Sequence, residues 1–417
     1  MPLTKTDKSR KEVAHGYPQL LPGDRVLYFV ASNMPEVAGA YVVSLDRPDT
    51  PVRVLATSSK AIYAPPVAGR SGHLIWMREQ NLVAQAFDLE TLRLTGEPTT
   101  LASDVAAIQF RPAFWASPAG TLAYFVGDDL GPKNMSWFDR DGRKVGDAAR
   151  ADFYRAVRIS PDGTRVGVTK NVKNIVEAWV LEFARGSWTR LGADKVDLNP
   201  PFWSPDGREL GFGRLLVEGR EWTGASPSKP LTTANVAGQI LDWSSDGRFL
   251  LVGRPAAGPG DYWMASIDGS VEPRLIVGSP ANERDGRFSP DGKWLAYSSD
   301  ETGRAEVYVQ SVSGSERRWP VSVAGGDRPV WRRDGREVYF VAPSSDTIMG
   351  ATIREVGPTL EVGAPRQLFT TPDPLIAGYP STYDVAPDGR FLMLTGENRG
   401  PAVLTVVLNW QAQLGRR

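Results

Sequence analysis

The sequence predicts an all-β fold, a β-propeller of four-stranded antiparallel blades, and three observations carry that expectation. A turn of the form Ser-Pro-Asp-Gly recurs at Ser160 to Gly163, Ser204 to Gly207, Ser244 to Gly247, Ser289 to Gly292, Arg333 to Gly335 and Ala386 to Gly389, with weaker copies at Pro22 to Asp24, Gly69 to Gly72 and Ser117 to Gly120. The nine anchor glycines, Gly23, Gly72, Gly120, Gly163, Gly207, Gly247, Gly292, Gly335 and Gly389, fall 40 to 54 residues apart. Each period has room for four strand-like segments, the signature of propeller blades. Finally, the residue ahead of the turn triplet is bulky and apolar in six copies: Ile159, Trp203, Trp243, Phe288, Trp331 and Val385. A sheet with neighbours on both faces needs such residues as packing between blades.

The turns have a mechanism. Pro presets φ at the first corner, Asp tolerates the second and bonds to its own backbone, and Gly closes without a Cβ clash, so the flanking runs pair as a hairpin. In chain order, Val26 to Val30, Tyr41 to Leu45 and Val52 to Leu55 supply strands of one unit, and His73 to Met77, Leu82 to Phe87 and Thr99 to Leu101 those of the next. The period around Arg284 continues with Trp294 to Tyr297, Glu306 to Val312 and Trp319 to Ser322. None of these segments has apolar spacing of helical period over the length of a helix. Val217 to Ser228 and Thr371 to Tyr379 interrupt the pattern and read as loops.

Residues 2–5, Pro-Leu-Thr-Lys, resemble the outermost strands at Pro230 to Thr233 and Gln367 to Thr370, whereas the last repeat has only Tyr383 to Val385, Phe391 to Leu394 and Val403 to Leu408. The expectation is one domain over residues 1–417, with 2–6 as a closing strand, 15–410 as blades and 411–417 as a tail. Pairing of the N-terminal strand with the last blade would remove the exposed edges of an open stack. Nine motifs in a single ring is the favoured arrangement. Eight blades, or a six-bladed ring from about 148 to 410 preceded by three blades of an incomplete second ring, stay open as alternatives.

Composition narrows the function classes. Lys+Arg and Asp+Glu balance at 48 each with no long run of either sign, which argues against a nucleic-acid or anionic-membrane surface. There is no Cys, and the two His, His15 and His73, fall in different repeats, so neither a Ser-His-Asp triad nor a multi-histidine metal site is expected. The turn aspartates lie one to a blade, whereas Ca²⁺ needs about six to eight oxygens around one ion. They read as Asx-type turn formers, and no metal or other cofactor is expected. Residues 1–12 carry no apolar leader pattern and no stretch approaches the length of a membrane span, so the expected location is cytoplasmic, or extracytoplasmic if the chain is excised from a longer receptor. A monomer is expected.

The Ser-Pro-Asp-Gly-Arg/Lys turns followed by apolar-apolar-Ala-Tyr resemble the repeats of TolB propellers and of the propellers of prolyl-oligopeptidase-type peptidases. Asn282 to Trp294, Glu306 to Val309, Trp331 to Gly335, Val406 to Trp410, Tyr63 to Pro66 and Leu94 to Pro98 together resemble the C-terminal propeller of bacterial membrane serine/threonine protein kinases of acidobacterial type. That resemblance covers essentially the whole chain and implies a propeller acting as a sensor or interaction module. The chain has no glycine-rich loop, His-Arg-Asp or Asp-Phe-Gly, and Gly224 to Ser228 lacks the closing Gly of a nucleophile elbow, so neither kinase nor peptidase activity carries over.

Propellers bind where the innermost strand of each blade begins, at the channel mouth. Eight residues before the anchor glycines stand His15, Pro112, Arg155, Asn199, Gln239, Arg284, Asp327 and Ser381, mostly polar beside apolar strands. With their neighbours they give the candidate ligand-binding set Tyr17, Tyr154, Arg155, Asn199, Gln239, Arg284, Asp285, Asp327, Arg328 and Tyr383. Mixed charge suits an unknown protein, a peptide segment or a polar small molecule, with Arg155 and Arg284 able to fork a carboxylate or phosphate. The expected function is non-catalytic binding. The alternative is a propeller lyase, cyclase or transferase in which Asp285, Asp327 and Glu283 are the carboxylates and Tyr154 or Tyr383 the proton donors.

Overall fold

Each of the six well-formed turns is held by its aspartate. The Asp162, Asp206, Asp246, Asp291, Asp334 and Asp388 carboxylates accept the backbone N–H two residues on at 3.0–3.1 Å. The turn glycines, from Gly163 to Gly389, have φ between 67° and 85°, the left-handed region that a side chain would strain. The aspartates are therefore turn formers, as their spacing suggests.

The structure, a computed structural model, describes residues 3–32, 34–66, 71–78, 81–103, 105, 107–108, 111–112, 114–126, 132–172, 175–192, 200–212, 218–227, 229–231, 238–254, 260–314, 317–357, 359–371, 375, 381–396 and 403–415. The chain forms two compact units, residues 1–129 with 400–417, and residues 130–399. The first unit contains two four-stranded antiparallel sheets, Glu12–Leu21, Arg25–Ser32, Gly39–Ser44 and Arg47–Leu55, then Ala61–Ala64, His73–Arg78, Asn81–Asp88 and Arg93–Ala102. Its third sheet joins Phe114–Ala116 and Thr121–Val126 to Val403–Leu408.

The second unit is a ring of six sheets. Its first blade is Tyr154–Ile159, Arg165–Val172, Ile175–Glu182 and Ser187–Gly192, and its second Phe202–Trp203, Glu209–Phe212, Glu218–Glu221 and Lys229–Pro230. The third is Gln239–Trp243, Phe249–Arg254, Asp261–Ser266 and Arg274–Val277, and the fourth Glu283–Phe288, Trp294–Ser299, Glu306–Ser311 and Arg318–Pro320. In the fifth, Asp327–Trp331, Glu337–Val341, Thr347–Val356 and Arg366–Thr370 follow one another, with Thr359–Val362 paired to the third strand. The sixth takes Tyr383–Val385 and Phe391–Gly396 from one end of the unit, and Lys133–Phe138 and Lys144–Asp152 from the other.

Closure by that sixth blade corrects the expected closing strand. Residues 3–6 are not in a strand, and Thr4 instead places its hydroxyl 2.9 Å from His15 Nδ1. Lys133–Phe138 pairs in full register with Phe391–Gly396 because its alternation buries Met135 and Trp137 between blades, which a four-residue Pro-Leu-Thr-Lys segment cannot do. The ring thus runs from 133 to 396, near the six-bladed alternative and unlike the single ring of nine. Val403–Leu408, expected in the last blade, pairs with Thr121–Val126 in the first unit. The expected tail forms a 3-10 segment, Trp410–Gly415, in which Trp410 is fully buried and donates its N–H to the Gly120 carbonyl at 3.3 Å. The expected loop at 217–228 contains the strand Glu218–Glu221, and of Thr371 to Tyr379 only Thr371 and Leu375, both buried, are described.

Six apolar clusters fill the six gaps between neighbouring blades. Each receives one of the residues that precede a turn triplet: Ile159, Trp203, Trp243, Phe288, Trp331 and Val385 fall one to a gap, Trp243 partly buried. Two are tied to the blade before by their indole: Trp203 Nε1 donates to the Arg158 carbonyl at 2.8 Å and Trp331 Nε1 to the Arg287 carbonyl at 3.2 Å.

One residue further upstream, the inner strands present Arg158, Phe202, Asp242, Arg287, Val330 and Asp384 around the ring. The order Arg, apolar, Asp occurs twice. Arg158 reaches over the second blade to Asp242 at 3.5 Å, and Arg287 reaches over the fifth to Asp384 at 3.0 Å. Each aspartate also accepts the backbone N–H that opens the other half: Phe288 N to Asp242 Oδ2 at 2.9 Å, and Ile159 N to Asp384 Oδ2 at 2.7 Å. The ring is two three-blade halves latched by two equivalent carboxylates.

Asp384 is buried. Burial alone would push its carboxyl up, but Arg287, Arg333 and Arg158 and the Ile159 N–H together hold it below the usual carboxylate range. Removing one partner of a buried ion pair strands the other, at a cost of about 3–5 kcal/mol. Asp384→Ala is therefore expected to lower the melting temperature of the 130–399 unit by roughly 10 °C. A variant that melts with the parent in differential scanning calorimetry would show that the latch does not hold the ring.

Candidate functional site

Where the inner strands of the ring begin, their pairing is irregular. Register shifts separate Ile240 from Asp242, Arg284 from Arg287 and Asp327 from Val330. A bulge of this kind adds a residue, bends the strand and re-aims a side chain. Asp285, Arg328 and Ser381 have φ of 59°, 54° and 58°, backbone strain of about 1–3 kcal/mol each that persists only where the surroundings hold it.

These residues border one cavity of about 270 Å³ at the channel mouth. The third blade contributes Gln239, Leu241 and Tyr262, the fourth Glu283 to Arg287, the fifth Asp327 to Val330, the sixth Ser381 and Tyr383, and the first Arg158. Gly286 is required where the strand passes Tyr262: a Cβ there would lie 2.9 Å from Leu251 and 3.0 Å from the Tyr262 ring. The Gly286 N–H donates to the Tyr262 hydroxyl at 3.1 Å, and the Tyr383 hydroxyl donates to the Arg328 carbonyl at 2.8 Å, so both phenols brace the bulged strands. Burial raises both phenols far above their ordinary range, so neither ionises near neutral pH.

Six of the ten residues expected from the repeat register line this cavity: Gln239, Arg284, Asp285, Asp327, Arg328 and Tyr383. Tyr154 and Arg155 do not. Tyr154 stacks on Trp188 at 6.0 Å in the gap between the sixth and first blades, and Arg155 is buried with its Nε donating to Asn171 Oδ1 at 2.9 Å. Their strand bulges one residue earlier, between Tyr154 and Ala156, which turns both side chains into the packing. Asn199 lies outside the described residues. Tyr17 belongs to the first unit, half-exposed beneath Lys60, whose Nζ stands 5.7 Å from the ring centroid. Arg158 and Tyr262 were not expected. The first is visible five residues before its anchor glycine, a register the eight-residue reading passed over; the second comes from a third strand, where the repeat carries no signal.

The charges in the cavity are unequally committed. Arg287 donates to Asp384 and, at 2.7 Å, to Ser381 Oγ. Arg328 donates from Nε to Asp327 at 2.8 Å and from Nη1 to the Leu375 carbonyl at 3.3 Å. Burial, with Arg287 beside it, brings the Arg158 guanidinium down to about 10, still protonated at neutral pH. Glu283 accepts from Ser279 at 2.5 Å and Ser299 at 3.4 Å through Oε1, while its buried Oε2 has no hydrogen-bond partner among the described residues. Asp285 has neither a hydrogen bond nor an ion pair among them. Burial raises both carboxyls; Asp327 raises Asp285 further, and the nearby Arg328, Arg284 and Arg287 offset only part of that rise.

No family model matches the chain. An uncharacterized protein of Agrobacterium fabrum, Atu1656, is 30% identical over 150 residues, which cover 34% of this chain and 50% of that protein. An uncharacterized peptidase of Bacillus subtilis, YuxL, is 27% identical over 146 residues, 35% of this chain and 22% of that one. The chain therefore spans half the length of the first relative and about a fifth of the second. Among solved structures, one described as TolB from Agrobacterium tumefaciens superposes with a TM-score of 0.50 at 18% identity, covering 64% of this chain and 98% of that one. The fold is a TolB-like β-propeller.

Because the Asp285 carboxyl is raised in the folded state, it favours folding below its unfolded value of about 3.9 and that contribution is lost as the pH rises through the folded value. At neutral pH the fold carries a poorly solvated charge. Asp285→Asn is expected to raise the melting temperature by a degree or two near neutrality, with the gain shrinking as the pH falls towards about 4. A destabilised Asp285→Asn protein at neutral pH would mean that the carboxylate is paired and structural.

Proposed function

We propose that the chain is a ligand- or protein-binding propeller, a sensor or scaffold module whose site is the channel mouth of the six-bladed unit. The observation that carries this reading is the convergence of charged groups from three blades, the first, fourth and fifth, on one 270 Å³ cavity, on strands bent by bulges. A structural role alone calls for paired charges; here the buried Glu283 Oε2 has no hydrogen-bond partner among the described residues, and burial raises the carboxyls of Glu283 and Asp285. The sensor role follows from the resemblance of the motifs to the propellers of bacterial membrane kinases, and attachment to such a kinase is part of the same proposal. Among the described residues, no helix is long and apolar enough to cross a membrane.

A second reading is acid–base catalysis at the same place, favoured by the raised carboxyls of Glu283 and Asp285. The tyrosines named as proton donors fit it poorly: Tyr154 is outside the cavity, and the Tyr383 hydroxyl is already donated to a carbonyl.

Immobilised parent protein and the Arg284→Ala and Asp327→Ala variants, compared in affinity capture from bacterial extract, test the mouth as the binding site. Arg284→Ala is expected to melt within about 2 °C of the parent, since Arg284 is exposed; Asp327→Ala strands the buried Arg328 and is expected to melt several degrees lower while still folded at the assay temperature. A partner held by the parent and lost by both folded variants supports the proposal. The same captured set on all three proteins places binding elsewhere.

A further inference from the structure

Resting on the mouth as the binding site, we propose that it recognises a cation, and that its ligand is a protein segment inserting a lysine or arginine side chain against Asp285. The argument begins with which charges are already used. Arg287 is held by Asp384 and Ser381, Arg328 by Asp327 and the Leu375 carbonyl, and Arg158 by Asp242. Of the guanidinium groups at the cavity only that of Arg284 is exposed, pointing to its place at the edge of the mouth.

The carboxylates divide the other way. Asp327 has Arg328, but Asp285 has no hydrogen-bond or ion-pair partner among the described residues, and Glu283, only 6% exposed, has an Oε2 with none. Both stand on the same bulged strand, Glu283–Phe288, with Tyr262 beside them. The buried Glu283 Oε2 lacks a donor and Asp285 beside it is partly buried, and a bound ammonium or guanidinium supplies a charge and donors to both.

Size decides between a side chain and a larger ligand. At about 270 Å³ the cavity is just below the range of roughly 300–1,000 Å³ that encloses drug-sized molecules. It admits one long side chain, and the rest of the segment lies outside on the polar edge formed by Gln239, Arg284 and Asp327.

The full chain, panned against a displayed library of random dodecapeptides in parallel with Asp285→Asn, tests this. The expected result is a consensus with a fixed Lys or Arg. The synthetic consensus peptide should bind the parent and lose about tenfold or more in affinity on Asp285→Asn, with the variant's fold confirmed by its melting curve. Exchange of the basic residue for norleucine should cost the same. A consensus without a basic residue, weakened by Arg284→Ala and Asp327→Ala but indifferent to Asp285→Asn, overturns cation recognition and leaves mouth binding standing. Peptides that bind all three variants as they bind the parent overturn the mouth as the site. If no peptide is enriched but argininamide or 1,4-diaminobutane raises the melting temperature of the parent and not of Asp285→Asn, the ligand is a free amine and the protein-segment part is overturned.

Discussion

Two aspartates on the inner face of the ring, Asp242 and Asp384, each accept a backbone N–H from the next half of the molecule and an arginine from their own. Blade packing by itself is non-directional, and apolar gaps such as those filled by Trp203 or Phe288 tolerate sliding. The carboxylate latches are directional. They tie Ile159 and Phe288, on the inner strands that open the two halves, to Asp384 and Asp242.

The latches also explain the charge left at the mouth. Arg158 and Arg287 face a cavity in which free guanidinium groups would attract anions, yet both are drawn towards Asp242 and Asp384. With Arg328 bound to Asp327, the carboxylates left at the wall are Glu283 and Asp285, with the exposed Arg284 between them in sequence. A buried ion pair is weak evidence of stabilisation in general; here its consequence is specificity, since it decides which charges a ligand meets.

Much of this was legible in the sequence, because propeller repeats are written in turn chemistry. The Asp-Gly turns announce the hairpins, and one bulky residue before each turn announces the gap it fills, as Ile159, Phe288 and Val385 do. Counting back eight residues from the turns found Gln239, Arg284, Asp327 and Ser381 in the cavity, and their neighbours added Asp285, Arg328 and Tyr383. It failed at Tyr154 and Arg155, since a register shift one residue earlier in that strand turns the pattern inwards, and bulges leave no mark in a periodicity. Ring closure was misread for a related reason. Pro-Leu-Thr-Lys and Lys133–Phe138 both look like strands locally, and only the burial of Met135 and Trp137 between the sixth and first blades distinguishes them. Glu283 and Asp285 were visible as candidate carboxylates, but their lack of partners is a three-dimensional property.

The central claim is that the arginines of the ring are spent on holding its blades, leaving Asp285 for a ligand. Carbon-detected NMR titration of the aspartate carboxyls in the full chain, with signals assigned through Asp285→Asn and Asp384→Asn, tests it most directly. The account predicts Asp384 titrating below the ordinary aspartate range and Asp285 above it. An Asp285 signal that titrates at or below the ordinary range would show that an arginine already pairs with it, and would contradict the account.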